Sequence, residues 1–167
     1  MAIILVTGGA RSGKSTRAEA RAREFVGQPV YIATAETLDA EMRERIACHR
    51  ARRGNDWLER ETPLELVAAL DETDGAGARL VDCLTLWLSN LMHAERDWEK
   101  EGSRLVDALG RQQSPVVLVT NEVGLGIVPE NALARRFRDA AGILNQAVAR
   151  AADEVELVVA GFPMRVK

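Results

Sequence analysis

The sequence predicts an α/β fold: a mostly parallel sheet flanked by helices in three layers. Three observations predict it. Five short runs, Ile3–Val6, Val30–Ala33, Leu80–Cys83, Val116–Thr120 and Val155–Ala160, are apolar on consecutive residues, the pattern of strands covered on both faces. Stretches of helical periodicity lie between them, and that alternation implies βαβ units with right-handed crossovers. The 167 residues contain no linker, repeat or low-complexity tract. Residues 1–167 therefore read as a single domain, long enough to bury a real core.

Taken in order, the first strand ends at Gly8-Gly9, and helical spacing covers 14–27. After Val30–Ala33 a second helical pattern spans 39–53, and Trp57–Glu61 reads as a further short strand. A helix over 64–71 leads into DETDGAGA, Asp71 to Ala78, a surface turn ahead of Leu80–Cys83. Weaker helices follow over 84–95 and 97–110. The clearest helix runs from Asn131 to Ala152, where Leu133, Phe137, Ala140, Leu144, Val148 and Ala151 recur at intervals of three and four. Pro129 stands just ahead of it, as a helix start tolerates.

Composition narrows the partners. A net charge of −3 and a pI near 5.5 argue against a protein that coats nucleic acid or an anionic membrane. Any polyanion is then met by a local basic site. Cys48 and Cys83 lack C-x-x-C or zinc spacing and read as free thiols of a reducing compartment. Ile3-Ile4-Leu5-Val6 is too short for a signal h-region, and no apolar run approaches the roughly 20 residues of a membrane span. A cytoplasmic protein is expected, with no nucleic-acid partner and no membrane insertion.

Directly after the first strand stands TGGARSGKST, in which Gly8, Gly13, Lys14 and Ser15 satisfy G-x-x-x-x-G-K-[ST] between an apolar strand and a helix. Glycines let backbone N–H groups turn inward around phosphate oxygens, and the helix that follows presents its positive end. Gly8, Gly9, Ala10, Arg11, Ser12, Gly13, Lys14 and Ser15 are thus nucleotide-binding candidates. Lys14 would reach the β- and γ-phosphates, and the Ser15 hydroxyl would take one position on Mg²⁺. The second metal carboxylate of such a site stands at the end of a neighbouring strand. Asp82, closing Arg79-Leu80-Val81-Asp82, supplies one. Asn121 and Glu122 close the next strand, and the carboxyl ends of strands are where open α/β sheets bind ligands. Glu122 is a candidate for positioning a nucleophile or a metal-bound water, though a solvated loop acid would look the same.

The run RIACHRARRG gathers Arg45, Arg50, Arg52 and Arg53 around His49, one of only two histidines in the chain. On a helix, Met42, Ile46, His49 and Arg53 lie near one face, so His49 could simply cap the core. Arginines three and four residues away would also disfavour the imidazolium and keep the ring neutral and nucleophilic at pH 7. The same guanidinium forks could clamp phosphate oxygens. A neutral imidazole in a phosphate cage suggests attack on phosphorus, giving a covalent phosphoramidate.

ILVTGGARSGKS at 4–15, YIATAE at 31–36, EMRERIACHRARR at 41–53, TNEVGLGIVPENALARRFRDAAGILNQ at 120–146 and ADEVELVVAG at 152–161 occur together. The combination resembles the bifunctional adenosylcobinamide kinase/adenosylcobinamide-phosphate guanylyltransferase family, over nearly the whole chain. The resemblance implies a P-loop NTPase fold of RecA-like type and a role in cobalamin biosynthesis. A kinase step would phosphorylate adenosylcobinamide with ATP or GTP; GMP would then pass from GTP to that phosphate through a guanylylated His49, releasing pyrophosphate. GTP contacts would fall on Gly8–Ser15, on Ala33, Thr34 and Ala35, on Arg50, Ala51, Arg52 and Arg53 beside His49, and on Glu61 and Asp82. The resemblance further implies a homo-oligomer, a trimer. His93 lies outside the matching motif, and Cys48 acquires no role.

Both chemistries would share one phosphate loop, so residues 34–56, rich in charge and poor in long apolar side chains, are the expected mobile element. Two rival readings stay open on the residues alone. A small-molecule kinase without a covalent step would leave His49 structural. A GTP-dependent switch would need N/T-K-x-D after a later strand, and Thr120-Asn121-Glu122-Val123 has neither the Lys nor the Asp.

Overall fold

A computed structural model describes residues 1–36, 54 and 56–167. Among them the chain forms β1 (Ile3–Gly8), α1 (Lys14–Arg23), β2 (Val30–Ala33), β3 (Leu58–Glu61), α2 (Leu66–Glu72), β4 (Arg79–Asp82), α3 (Leu84–His93), α4 (Trp98–Arg111), β5 (Val116–Val119), α5 (Ala132–Ala151), β6 (Glu154–Val159) and β7 (Phe162–Arg165). The strands make one sheet in the order β3-β2-β4-β5-β1-β6-β7. Every neighbouring pair is parallel except β6 with β7.

Alternation along each strand divides the core into two layers. Ile3, Leu5, Ile32, Val81, Val116 and Leu118 face Leu66 and Leu70 of α2, Trp87 and Leu91 of α3, Leu105 and Leu109 of α4, and Leu144 and Val148 of α5. Ile4, Val6, Tyr31, Leu80, Val117 and Val119 face Ala18 and Ala22 of α1, joined by Trp57. The runs at β1, β2, β4 and β5 are strands buried on both sides, as expected, whereas the run at β6 is buried only in part, with Val159 exposed. β3 and β7 lie at the two sheet edges, and all of their residues are exposed.

Three details differ from the sequence expectation. The helix after the phosphate loop stops at Arg23 rather than near 27. The apolar face of α5 begins at Phe137, which packs against the core, because Leu133, in its first turn, stands 56% exposed. The chain adds an antiparallel strand, β7, where no element was expected. Ala160 and Gly161 both adopt positive φ, 51° and 88°, the conformation of a type I′ hairpin turn. An apolar run, a turn dipeptide ending in Gly and a second apolar run were the signal for it.

The turn expected over Asp71–Ala78 begins only at Thr73, because Asp71 and Glu72 close α2, and it ends in buried Ala78. Arg79 is fully buried at the start of β4. Its guanidinium donates to the Asp74 carboxylate, to Gln112 Oε1 at 3.0 Å and to the Ser114 carbonyl at 2.8 Å. Asp74 also accepts from the Gln113 and Ser114 amides. Burial raises the Asp74 carboxyl pKa, but Arg79 and these amides outweigh it and hold the group well below the ordinary carboxylate range. Removing one partner of a buried ion pair costs about 3 kcal/mol or more. Arg79→Met is therefore expected to lower Tm by roughly 10 °C, measured by calorimetry.

Glu156 on β6 is held low as well. The Arg17 guanidinium is the larger cause, burial works against it, and Arg21 adds to the lowering. A carboxyl with a lowered folded pKa stabilises the fold above its unfolded value, near 4, and loses that contribution as pH falls through the folded value. Stability is expected to be level above about pH 6 and to fall below about pH 4. The fall should be shallower in Asp74→Asn, as read from urea midpoints across that range.

Candidate active site

Parallel pairing brings the carboxyl ends of five strands to one edge. In register, Ala33 of β2 pairs with Glu61 of β3 and Asp82 of β4, Asp82 pairs with Val119 of β5, and Val119 pairs with Val6 of β1. The phosphate loop, residues 8–15, springs from β1 on that edge. So Gly8–Ser15, Ala33, Thr34, Ala35, Glu61, Asp82 and Glu122 fall along one rim. His49, Arg50, Ala51, Arg52 and Arg53 lie outside the described residues, as does most of the 34–56 segment.

The loop's conformation depends on its glycines. Gly13 caps α1 with φ 96°, and a Cβ there would sit 3.2 Å from the Gly161 Cα. A Cβ on Gly8 would come within 2.5 Å of the Val158 carbonyl oxygen. The loop therefore packs flush against β6 and the β6–β7 turn, tied by the Gly161 amide donating to the Ser12 carbonyl at 2.8 Å. The unpredicted hairpin is thus the loop's backstop. No side chain caps the N-terminus of α1, which leaves its first-turn N–H groups for an anion.

Two side chains in the loop look prepared for a ligand. Lys14 is buried and its Nζ donates to the Gly9 carbonyl at 2.9 Å, across the mouth of the loop. Ser12 Oγ is buried without a hydrogen-bond partner, a costly state unless an acceptor or donor arrives. Behind the loop, Arg17 reaches Glu156 through both Nε and Nη2 at 2.7 Å, and Arg21 bridges Glu154 and Glu156. These pairs lock α1 to β6 and hold the helix end that faces the loop.

At the centre of the rim, Asp82 accepts from the Tyr31 hydroxyl at 3.1 Å. Tyr31 in turn meets Trp57 edge-on, with centroids 6.2 Å apart, and Arg23 lies over the indole. Sequence reasoning did not find Tyr31, because nothing in YIATAE says that its hydroxyl spans to a strand 51 residues away. Thr34 is wholly buried. Its hydroxyl donates to the Cys83 carbonyl and accepts from the Cys83 amide, both at 2.8 Å, which pins the ends of β2 and β4 together. Cys83 is buried, and burial pushes its thiol up to about 11, so it is an inert core thiol.

Beside β1, a chain of polar groups sets the end of β5. Thr85 Oγ1 lies 3.3 Å from Thr120 Oγ1, Thr120 donates to Asn145 Oδ1 at 2.7 Å, and the Asn121 amide donates to Thr85 Oγ1 at 2.7 Å. The next amide, that of Glu122, donates to the Gly8 carbonyl at 3.1 Å. Glu122 therefore sits against the phosphate loop, and its Oε1 accepts from the Gly124 amide at 2.6 Å.

A glycine-built loop between β1 and α1, backed by a buried Lys and followed on the rim by a strand-end Asp, defines a P-loop nucleotide-binding protein. Two solved structures share the fold. One is the P4 protein from bacteriophage phi6 in complex with ADP, with TM-score 0.54, 16% identity, and coverage of 97% of this chain and 52% of that one. The other is an ATPase from the type III secretion system of pathogenic bacteria, with TM-score 0.56, 13% identity, and coverage of 93% and 50%. The particular family is given by sequence. Residues 4–166 match the family described as cobinamide kinase / cobinamide phosphate guanyltransferase. The chain is 48% identical to the bifunctional adenosylcobalamin biosynthesis protein CobP of Pseudomonas aeruginosa, over 98% of this chain and 96% of that protein. It is 45% identical to the protein CobU of Salmonella typhimurium, over 99% of both. The chain belongs to this family and is an enzyme of it. Among the described residues no helix is long and apolar enough to cross a membrane.

Proposed function

We propose that this chain carries out both reactions of its family at the one rim: phosphorylation of adenosylcobinamide by ATP or GTP, then transfer of GMP from GTP to the resulting phosphate through His49. The observation that carries the reading is the loop itself, with Lys14 across its mouth, a bare helix N-terminus and an unsatisfied Ser12 hydroxyl. The width of the rim supports a nucleoside triphosphate lying along it. From β1 to β3 there are four strand spacings, or about 19 Å, on the order of the extended length of such a molecule. The phosphates would lie at Gly8–Ser15 and the base towards Ala33, Thr34, Ala35 and Glu61. Glu61 would accept from guanine N1–H and the 2-amino group. Thr34 would contribute through the second lone pair of its carbonyl, which already accepts from Asn90 Nδ2 at 2.8 Å, since its hydroxyl is engaged with Cys83 and its amide with the Asp82 carbonyl.

Ser15 and Asp82 fit Mg²⁺ by the chemistry of their donors, a hydroxyl and a carboxylate. No group of three or more His, Cys, Asp or Glu gathers among the described residues, which suits an ion that arrives with the nucleotide and keeps phosphate and water ligands. When bound, the ion would neutralise charge on the β- and γ-phosphates. In the kinase step the acceptor hydroxyl oxygen bonds to the γ-phosphorus and the β–γ bridging bond breaks; Glu122 takes or orients the hydroxyl proton, and Lys14 offsets charge on the departing diphosphate. In the transferase step a neutral His49 nitrogen bonds to the α-phosphorus and pyrophosphate leaves with the bridging electron pair. Arg50, Arg52 and Arg53 offset the equatorial charge, and the ring's other nitrogen gives up its proton. The cobinamide phosphate oxygen then displaces His49, which regains that proton.

The test is covalent capture: GTP labelled at the α-phosphate is incubated with enzyme and Mg²⁺, and the chain is denatured. Acid-labile, base-stable label on the protein is expected. Absence of label with nucleotide binding intact would reduce the enzyme to a kinase without the covalent step. Tyr31 offers a second test. Its phenol orients the Asp82 carboxylate, and a lost outer contact of this kind costs about tenfold or more in metal affinity. Tyr31→Phe is expected to raise the Mg²⁺ concentration at half-saturation about tenfold, with metal-free nucleotide affinity unchanged, both read by calorimetry. An oligomer, a trimer by the family resemblance, would use the open edge at β7, where Phe162 and Met164 are exposed.

A further inference from the structure

The twelve residues between β5 and α5 form a loop with a fixed base and an apolar tip. Its base is tied twice. At one end the Glu122 amide donates to the Gly8 carbonyl of the phosphate loop. At the other, Arg135 Nη1 donates to the Pro129 and Glu130 carbonyls at 2.8 and 2.6 Å, and Asn131 caps α5 through the Ala134 amide at 3.1 Å. Between those ties stands VGLGIVP, residues 123–129, without one charged side chain. Leu125 is 88% exposed, Ile127 97% and Val128 60%, and Leu133 on the adjoining turn of α5 is 56% exposed.

Such a cluster calls for an occupant. Four exposed side chains are far fewer than the roughly 20–30 residues a side of a standard protein interface, so a second copy of the chain is a poor fit for them. With no cation in residues 123–129 and Arg135 turned to the Pro129 and Glu130 carbonyls, the tip is equally unsuited to phosphate. It does suit a large, flat, weakly charged molecule whose reactive end must come to the phosphate loop. The acceptor of this family's reactions is of that kind: a corrin macrocycle with methyl-studded faces and a flexible arm that ends in the reacting hydroxyl or phosphate. Resting on the function proposed above, we infer that Leu125, Ile127, Val128 and Leu133 form the docking platform for the corrin ring. The arm then passes Glu122 to reach the nucleotide at Gly8.

Equilibrium dialysis of adenosylcobinamide, followed by corrin absorbance, tests this with enzyme saturated by a non-hydrolysable GTP analogue. The double variant Leu125→Ser/Ile127→Ser is compared with Val26→Ser, which changes an equally exposed residue (97%) at the opposite end of the sheet. The double variant is expected to bind the corrinoid ten- to a hundred-fold more weakly and to raise the acceptor KM alike. Tm, the GTP dissociation constant and the sedimentation coefficient should all hold. The Val26 variant should match the wild type. Unchanged corrinoid affinity in the double variant overturns the platform and leaves the function standing. So does a loss confined to GTP binding or to self-association. A wild type that takes up no corrinoid overturns the function, and the platform falls with it.

Discussion

His49→Ala is expected to abolish guanylyl transfer, below detection, while the kinase step survives within a few-fold. The asymmetry follows from the proposed chemistry. A covalent intermediate splits one displacement into two, and no neighbouring group can stand in for the atom that forms the bond. The γ-phosphoryl transfer asks nothing of the imidazole, only the loop, Lys14 and an oriented hydroxyl. The decisive assay is paired: α-labelled GTP for protein-bound GMP, and γ-labelled GTP for phosphorylated cobinamide, on one preparation. Equal loss of both would mean that His49 supports the fold or the nucleotide pocket, and the single-displacement kinase would become the better reading. Retention of both would return His49 to a core-capping position.

Lys14→Ala is expected to depress both reactions together, by about 10²–10³ in kcat, on the scale of removing one preorganised charge donor from a transition state. The side chain is buried and spans to the Gly9 carbonyl at 2.9 Å, so its ammonium already stands at the loop, where phosphate oxygens would take that carbonyl's place. Lys14→Arg should not rescue: the planar guanidinium is too large for a loop whose glycines already lie against Val158 and Gly161. Nucleotide titration monitored by tryptophan fluorescence would separate lost binding from lost rate. A wild-type transferase rate in Lys14→Ala would show that the two steps do not use the loop in the same way.

Much of the fold was legible because burial on both faces leaves a plain mark. The runs at Val30–Ala33, Leu80–Cys83 and Val116–Thr120 are apolar without alternation and became β2, β4 and β5 within one residue. The phosphate loop was legible for a different reason: its spacing is a local constraint, met within one turn of chain. β7 leaves a weaker mark in the sequence, since Pro163 interrupts its short apolar run, yet an edge strand tolerates proline. The Thr85–Thr120–Asn145 chain and the Tyr31–Asp82 contact left no mark either, since each joins residues 25 to 51 positions apart.

Sequence alone determined the α/β class, the position of the phosphate loop and the family to which the chain belongs, because these rest on short-range spacing and on which residues shun water. Only the tertiary structure decided that Ala33, Glu61, Asp82 and Glu122 share one rim with Gly8, that Gly161 closes on Gly13, and that Leu125 and Ile127 stand exposed beside the loop. Those facts depend on strand order and direction, and a chain of consecutive residues does not carry strand order until the sheet has formed.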